Sequence, residues 1–129
     1  MSSPRVIFVV DDDPVINTLI INRFTAEGYI VEAFTYGEDC LESLCHVPDL
    51  VVLDYFFMKE GHNVMGGVEI FNRIRELRPD LPVIMLSGQD KGEVVLELAR
   101  KGIDDYVIKD VHLLDNLSAA IRNVFERKG

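Results

Sequence analysis

The chain has no tryptophan, two cysteines, five prolines and 13 basic residues, and it has no long apolar run. Each shortage removes a class of protein. Two cysteines cannot staple a small fold, and Cys40 and Cys45, five apart in a predicted helix, form neither a CxxC pair nor a same-face pair. Both read as reduced structural thiols. Thirteen basic residues against 22 acidic ones leave a net charge of -9, whereas affinity for a nucleic-acid backbone comes from clustered Lys and Arg. Nucleic-acid binding by this segment is not expected. No stretch approaches the roughly 18 apolar residues of a membrane span, and MSSPRVIFVV lacks the basic-then-apolar layout of a leader. No membrane role is expected, and the chain reads as cytoplasmic. His46, His62 and His112 share no ligand spacing, so a histidine metal site is not expected.

Four short apolar runs each stop on a polar residue suited to phosphate chemistry. RVIFVV ends on Asp11 and Asp12, DLVVL on Asp54, PVIML on Ser87 and YVI on Lys109. Parallel strands buried on both faces read as continuous Val, Ile and Leu, and open α/β sheets bind ligands beyond the carboxyl ends of their strands. Laid side by side, these runs bring carboxylates, a hydroxyl and an ammonium to one crevice.

Strand and helix signals alternate with little slack. Val6 to Val10 is a predicted strand, after which Asp13 serves as helix N-cap and Pro14 takes the first helical position, where a missing N–H costs nothing. Val15, Ile16, Leu19, Ile20 and Phe24 are expected to form the apolar face of that first helix, with Gly28 as its stop. Tyr29 to Phe34 is strand two, Glu38 to Cys45 a short helix and Leu50 to Leu53 strand three. A third helix starts near Gly67 and carries Val68, Phe71, Ile74 and Leu77 inward until Pro79. Strand four is Val83 to Leu86, a weaker helix runs from about Gly92 to Arg100 and ends at Gly102, and strand five is Tyr106 to Ile108. The last helix shows Leu117, Ala120, Ile121 and Val124 on one face, with Arg122, Arg127 and Lys128 complementing its dipole. Five strands alternating with five helices imply one domain over residues 1–129, a parallel sheet with helices on both faces. The one irregular connection is the 12-residue segment YFFMKEGHNVMG, Tyr55 to Gly66.

VVDD in strand one, a lone Asp ending strand three, Ser ending strand four and YVIK in strand five together resemble the receiver domain of two-component response regulators. The resemblance spans essentially the whole chain. It implies a flavodoxin-like, doubly wound sheet in the order 2-1-3-4-5. It also implies Asp54 as phosphoacceptor, with Mg²⁺ held directly by Asp12, Asp54 and the backbone carbonyl of Phe56, and by Asp11 through water. A hard divalent ion with oxygen ligands suits carboxylates that would otherwise repel one another. By the same resemblance Lys109 stabilises the transferring phosphoryl group, Ser87 hydrogen-bonds it beside the space left by Gly88, and Ser87 and Tyr106 act as the switch. The phosphoryl group would come from a sensor histidine kinase or phosphotransfer protein. The message would leave through the face of helix four, strand five and helix five, toward an output domain or partner not identified by the sequence. Such a chain is a signalling domain that assists its own phosphorylation and dephosphorylation, not an enzyme in its own right.

Two departures accompany the resemblance. The family's Met-Pro after the acceptor is absent, and Gly67 lies 13 residues after Asp54 where about eight is usual, so the loop is longer. Asp110 replaces the family's cis-proline after the lysine, which predicts either a trans peptide with a shifted loop or a strained cis bond. Phe56, two residues after the acceptor, is expected to hinder water and slow self-dephosphorylation. Two other readings compete. Asp11, Asp13 and Val15 also fit the DxDxV signature of haloacid-dehalogenase-like phosphatases, with Asp11 as nucleophile, Asp13 as general acid and Ser87, Asp104 and Asp105 as later motifs. A pseudo-receiver that binds partners without phosphorylation is the third. No output module follows the last predicted helix, so the chain is read either as a stand-alone regulator or as part of a longer protein.

Overall fold

Each apolar run forms a strand, as expected where Val and Ile fit a pleated surface and the runs are too short to bury a helix. The computed structural model describes residues 4–55, 67–88 and 99–128. Its elements are β1 (Val6–Val10), α1 (Pro14–Ala26), β2 (Ile30–Phe34), α2 (Gly37–Glu42) with a 3-10 turn at Ser43–His46, and β3 (Leu50–Asp54). They continue with α3 (Gly67–Leu77), β4 (Val83–Ser87), α4 (described at 99–101), β5 (Asp105–Ile108) and α5 (Leu113–Lys128). All neighbouring strands pair in parallel in the order β2-β1-β3-β4-β5. The sequence reading of order and class is therefore the fold. Segment Phe56 to Gly66 and most of the predicted fourth helix lie outside the described residues.

Alternation along each strand divides the core in two. Ile7, Val9, Val52, Ile84 and Leu86 face α1 and α5, packing on Ile20, Phe24, Leu117, Ile121 and Val124. Phe8, Val10, Val51, Leu53 and Met85 face α2 and α3, packing on Cys40, Leu44, Ile70, Phe71 and Ile74. β3 and β4 are buried at every position, whereas the edge strands β2 and β5 are partly exposed. Burial of this kind stabilises by about 1.5–3 kcal/mol per large apolar side chain. Gly37 lets α2 and α3 meet, since a Cβ there would collide with the Ile70 side chain.

Two helix faces differ from the sequence reading. On α1 the buried side chains are Asn17, Ile20 and Phe24, while Val15 and Leu19 are 63% and 44% exposed. Two residues turn a helix through about 200°, so Val15 and Leu19 lie opposite Asn17. On α3, Leu77 is exposed at the last helical position. Arg75 fills the seam there, its guanidinium packed on Phe71 and donating to the carbonyls of Leu81 and Gly102. Helix stops follow the glycine expectation: Gly28 and Gly102 have φ of +98° and +90°, conformations that L side chains rarely adopt. Val47, just before β3, takes a left-handed φ of 54°, an unusual conformation for a β-branched residue.

Candidate functional site

The ladder registers carry the polar strand ends together. Val10 pairs with Leu53, Asp54 with Leu86 and Ser87 with Ile108, so Asp11, Asp54, Ser87 and Lys109 follow one another across the carboxyl edge. Lys109 N–H donates to the Ser87 carbonyl at 2.8 Å, extending the ladder into the site. Asp11 is fully buried, Asp54 is 3% exposed and Asp12 is half-buried. The Lys109 ammonium reaches over them, 2.6 Å from Asp11 Oδ2 and 3.1 Å from Asp54 Oδ1.

Asp11, Asp12 and Asp54 each offer a carboxylate oxygen within 4.8 Å of the others. Three carboxylates and one ammonium leave the cluster with a net charge of about two negative units, a field that favours a divalent cation. Their all-oxygen donor set suits a hard ion. Asp11 is engaged at both oxygens, Oδ1 accepting the Asp13 N–H at 2.9 Å and Oδ2 forming the ion pair with Lys109. Burial, the largest single influence on Lys109, pulls its pKa down. Its hydrogen bond to Asp11 and the nearby charges of Asp54 and Asp11 outweigh that, holding it above the ordinary lysine value and charged at neutral pH.

Asp13 is the helix cap, its carboxylate accepting the Val15 N–H at 2.9 Å with Pro14 at the first helical position. It stays exposed at the surface. Ser87 is buried, and Tyr106 lies partly buried against the α2 and α3 core. Tyr106 pairs with Met85, and residues 85 and 87 share a side of β4, so Ser87 and Tyr106 lie on one side of the sheet. No peptide bond among the described residues is cis. The Lys109–Asp110 junction is therefore trans, and Asp110 forms a turn of its own, its carboxylate accepting the His112 N–H and its carbonyl the Leu113 N–H. Phe56 lies outside the described residues.

Asp104 and Asp105, needed by the phosphatase reading, sit at the opposite end of the sheet. Asp105 opens β5 and Asp104 precedes it, whereas Asp11 follows the end of the parallel strand β1. Asp104 instead accepts the Val83 N–H and pairs with Arg75, and Asp105 accepts the Tyr106 N–H. Sequence reasoning missed Asn17. Its amide nitrogen donates to the Asp11 carbonyl at 2.8 Å from a buried position. The available signal was a polar residue at i, i+3, i+7 spacing with Ile20 and Phe24.

A family model described as the response regulator receiver domain matches residues 7–122. The chain belongs to that family. The transcriptional regulatory protein AfsQ1 of Streptomyces coelicolor is 36% identical over 124 residues, covering 94% of this chain and 51% of that protein. Among solved structures, the response regulator DrrB of Thermotoga maritima matches with a TM-score of 0.83 and 32% identity, over 97% of this chain and 54% of that one. A CheY-like receiver domain protein of Methanospirillum hungatei matches with a TM-score of 0.81 and 26% identity, over 98% of both chains. The chain spans about half the length of several curated relatives and a quarter of others. The family supports the phosphoacceptor reading over the phosphatase and the pseudo-receiver. No helix among the described residues is long and apolar enough to cross a membrane.

Proposed function

We propose that this receiver domain accepts a phosphoryl group on Asp54, from a phosphohistidine on a sensor kinase or phosphotransfer protein in the cytoplasm. The observation that carries this is the Lys109 ammonium bridging the buried carboxylates of Asp11 and Asp54 at the end of the sheet. An Asp54 oxygen forms a bond to phosphorus as the phosphorus–nitrogen bond breaks, and the imidazole keeps the electron pair. Lys109 holds a positive charge where the equatorial oxygens gather negative charge. Asp12, Asp54 and the Phe56 carbonyl would hold Mg²⁺, with Asp11 acting through water; bound there, the ion supplies charge neutralisation to the transferring group. The Ser87 hydroxyl then donates to a phosphoryl oxygen, and Tyr106, on the same side of the sheet, moves with it. The chain promotes this transfer and the later hydrolysis of the acyl phosphate, in which water attacks phosphorus and Asp54 leaves as carboxylate, without acting on an external substrate in a catalytic cycle.

The donor has a surface to meet. Val15 and Leu19 leave an apolar stripe on α1 with a shallow depression lined by Pro14, Val15, Thr18 and Leu19, beginning at the rim of the site. The readout surface is assigned to α4, β5 and α5, where Tyr106, Asp110, Asn116 and Asn123 line a concave strip.

Incubation with acetyl phosphate and Mg²⁺, followed by intact-mass and peptide mapping, tests the reading. A stable adduct on Asp54, absent from Asp54→Asn, is expected. Turnover that depends on Asp11 without an Asp54 adduct, or no reaction at all, would overturn it.

A further inference from the structure

Asp11 is held at every polar group it owns. Its N–H donates to the Phe34 carbonyl at 3.1 Å, Oδ1 accepts the Asp13 N–H and Oδ2 meets Lys109. The remaining group, its carbonyl, belongs to the peptide that leads into Asp12, and the Asn17 side chain grips it at 2.8 Å. Rotation of that peptide would redirect Asp12 and displace the turn beyond it. Asn17 is thus tied to the orientation of Asp12 by one short link.

The energetics point the same way. Asn17 is 8% exposed, on the face of α1 whose other buried members are Ile20 and Phe24. Its Oδ1 is buried with no hydrogen-bond partner among the described residues. An orphaned buried acceptor opposes folding, and a leucine would extend the apolar face without that cost. A buried amide with one bond made and one acceptor orphaned is a poor stabilising device, and its one bond goes to the site.

We propose that Asn17 is a positioning residue for the phosphoacceptor centre, orienting the Asp11–Asp12 peptide so that Asp12 faces the cation that Asp54 also holds. This rests on the reading of the site given under Proposed function. Asn17 touches neither the phosphoryl group nor the ion and acts through Asp11.

The test compares wild type, Asn17→Leu and Asn17→Gln. Asn17→Leu removes the donor while extending the apolar face, and Asn17→Gln retains an amide donor. Mg²⁺ affinity is measured by isothermal titration calorimetry, acetyl phosphate reactivity by mass spectrometry, and folding by thermal unfolding in EDTA. Removing a support of this kind typically weakens metal binding by about tenfold or more. Asn17→Leu should therefore lose about tenfold in Mg²⁺ affinity and slow in phosphorylation at a fixed low Mg²⁺ concentration, while unfolding at or near the wild-type temperature; Asn17→Gln should recover part of the affinity. Should Asn17→Leu fail to fold, Asn17→Ala is measured in its place against the same expectation. A folded Asn17→Leu or Asn17→Ala chain with wild-type Mg²⁺ affinity overturns the proposal and leaves the phosphoacceptor reading intact. A wild-type chain that neither binds Mg²⁺ nor gains the Asp54 adduct overturns both.

Discussion

Replacing Lys109 with methionine keeps much of the aliphatic stem and deletes the charge between Asp11 and Asp54. Asp11 has no accessible surface, so its carboxylate cannot turn to water for compensation. A unit-charge pair about 4 Å apart attracts by roughly 4 kcal/mol at an effective dielectric constant near 20, and desolvation of the partners offsets much of this. Breaking a buried pair from one side nevertheless costs about 3–5 kcal/mol, because the remaining charge stays buried. The Lys109 side chain is 19% exposed, which places the expected loss near the lower end, about 3 kcal/mol. Urea unfolding at pH 7 in EDTA measures it. Two controls separate charge from packing. Adding Asp11→Asn should restore part of the loss, with a coupling of about 2 kcal/mol in the double-mutant cycle. Saturating Mg²⁺ should shrink the Lys109→Met penalty, since a bound cation supplies the missing positive charge. Additive mutations, together with equal losses in EDTA and Mg²⁺, would refute the electrostatic account and assign the effect to the lysine stem.

The opposite sign is expected for Asp54→Asn, which gives up one attraction to Lys109 but removes repulsion from both neighbouring carboxylates and the cost of burying a charge. That variant should be more stable than wild type in EDTA, by about 1 kcal/mol, while taking no phosphoryl group; a loss of stability would contradict the repulsion argument. Phe56→Asn should shorten the lifetime of the phosphorylated form, followed by intact mass over time, and an unchanged or longer lifetime would discard the shielding role. Glu27 gives a pH prediction. Burial, its largest single influence, pushes its pKa up, yet hydrogen bonds from Arg23 and Ser118 hold it below its ordinary 4.5. Its contribution is therefore complete above that value and disappears as the pH falls through the lower folded-state value. Glu27→Gln should remove that part of the acid dependence in unfolding measured from pH 6 to pH 2, at roughly constant ionic strength.

Most of the sheet was legible because parallel strands leave a clear trace: four short apolar runs and one mixed segment, Tyr29 to Phe34, in strict alternation with helical segments. The strand-terminal residues followed from the same pattern, since a parallel sheet carries all its carboxyl ends to one edge. Helix faces were harder to read. Val15 and Leu19 have the hydropathy of core residues, but the buried stripe of α1 runs through Asn17, Ile20 and Phe24, and Asn17 makes a hydrogen bond that only the folded β1–α1 turn provides. Leu77 was misplaced for a related reason, because Arg75 claims the seam through a cation–π contact to Phe71 and a hydrogen bond to the carbonyl of Gly102, which is distant in sequence. The Lys109–Asp110 peptide could be narrowed only to two alternatives. The trans form is accompanied by a turn built on the Asp110 carboxylate, a local bond that competes well in short loops.

The contrast between the wholly buried β3 and the half-open β5 bears on how this domain opens under native conditions. Segments flanked on both sides exchange their amide hydrogens only in openings that approach global unfolding, whereas an edge strand is released in cheaper, partial ones. Asp54 rides at the end of the first kind of strand, Tyr106 lies within the second, and Lys109 immediately follows it. Asp54, and Ser87 at the end of the equally buried β4, are thus expected to exchange slowly, while Tyr106 and Lys109 belong to an edge that can yield by itself. On the proposed reading, a signal passing through β5 would leave without loosening the strand on which the phosphoryl group would sit.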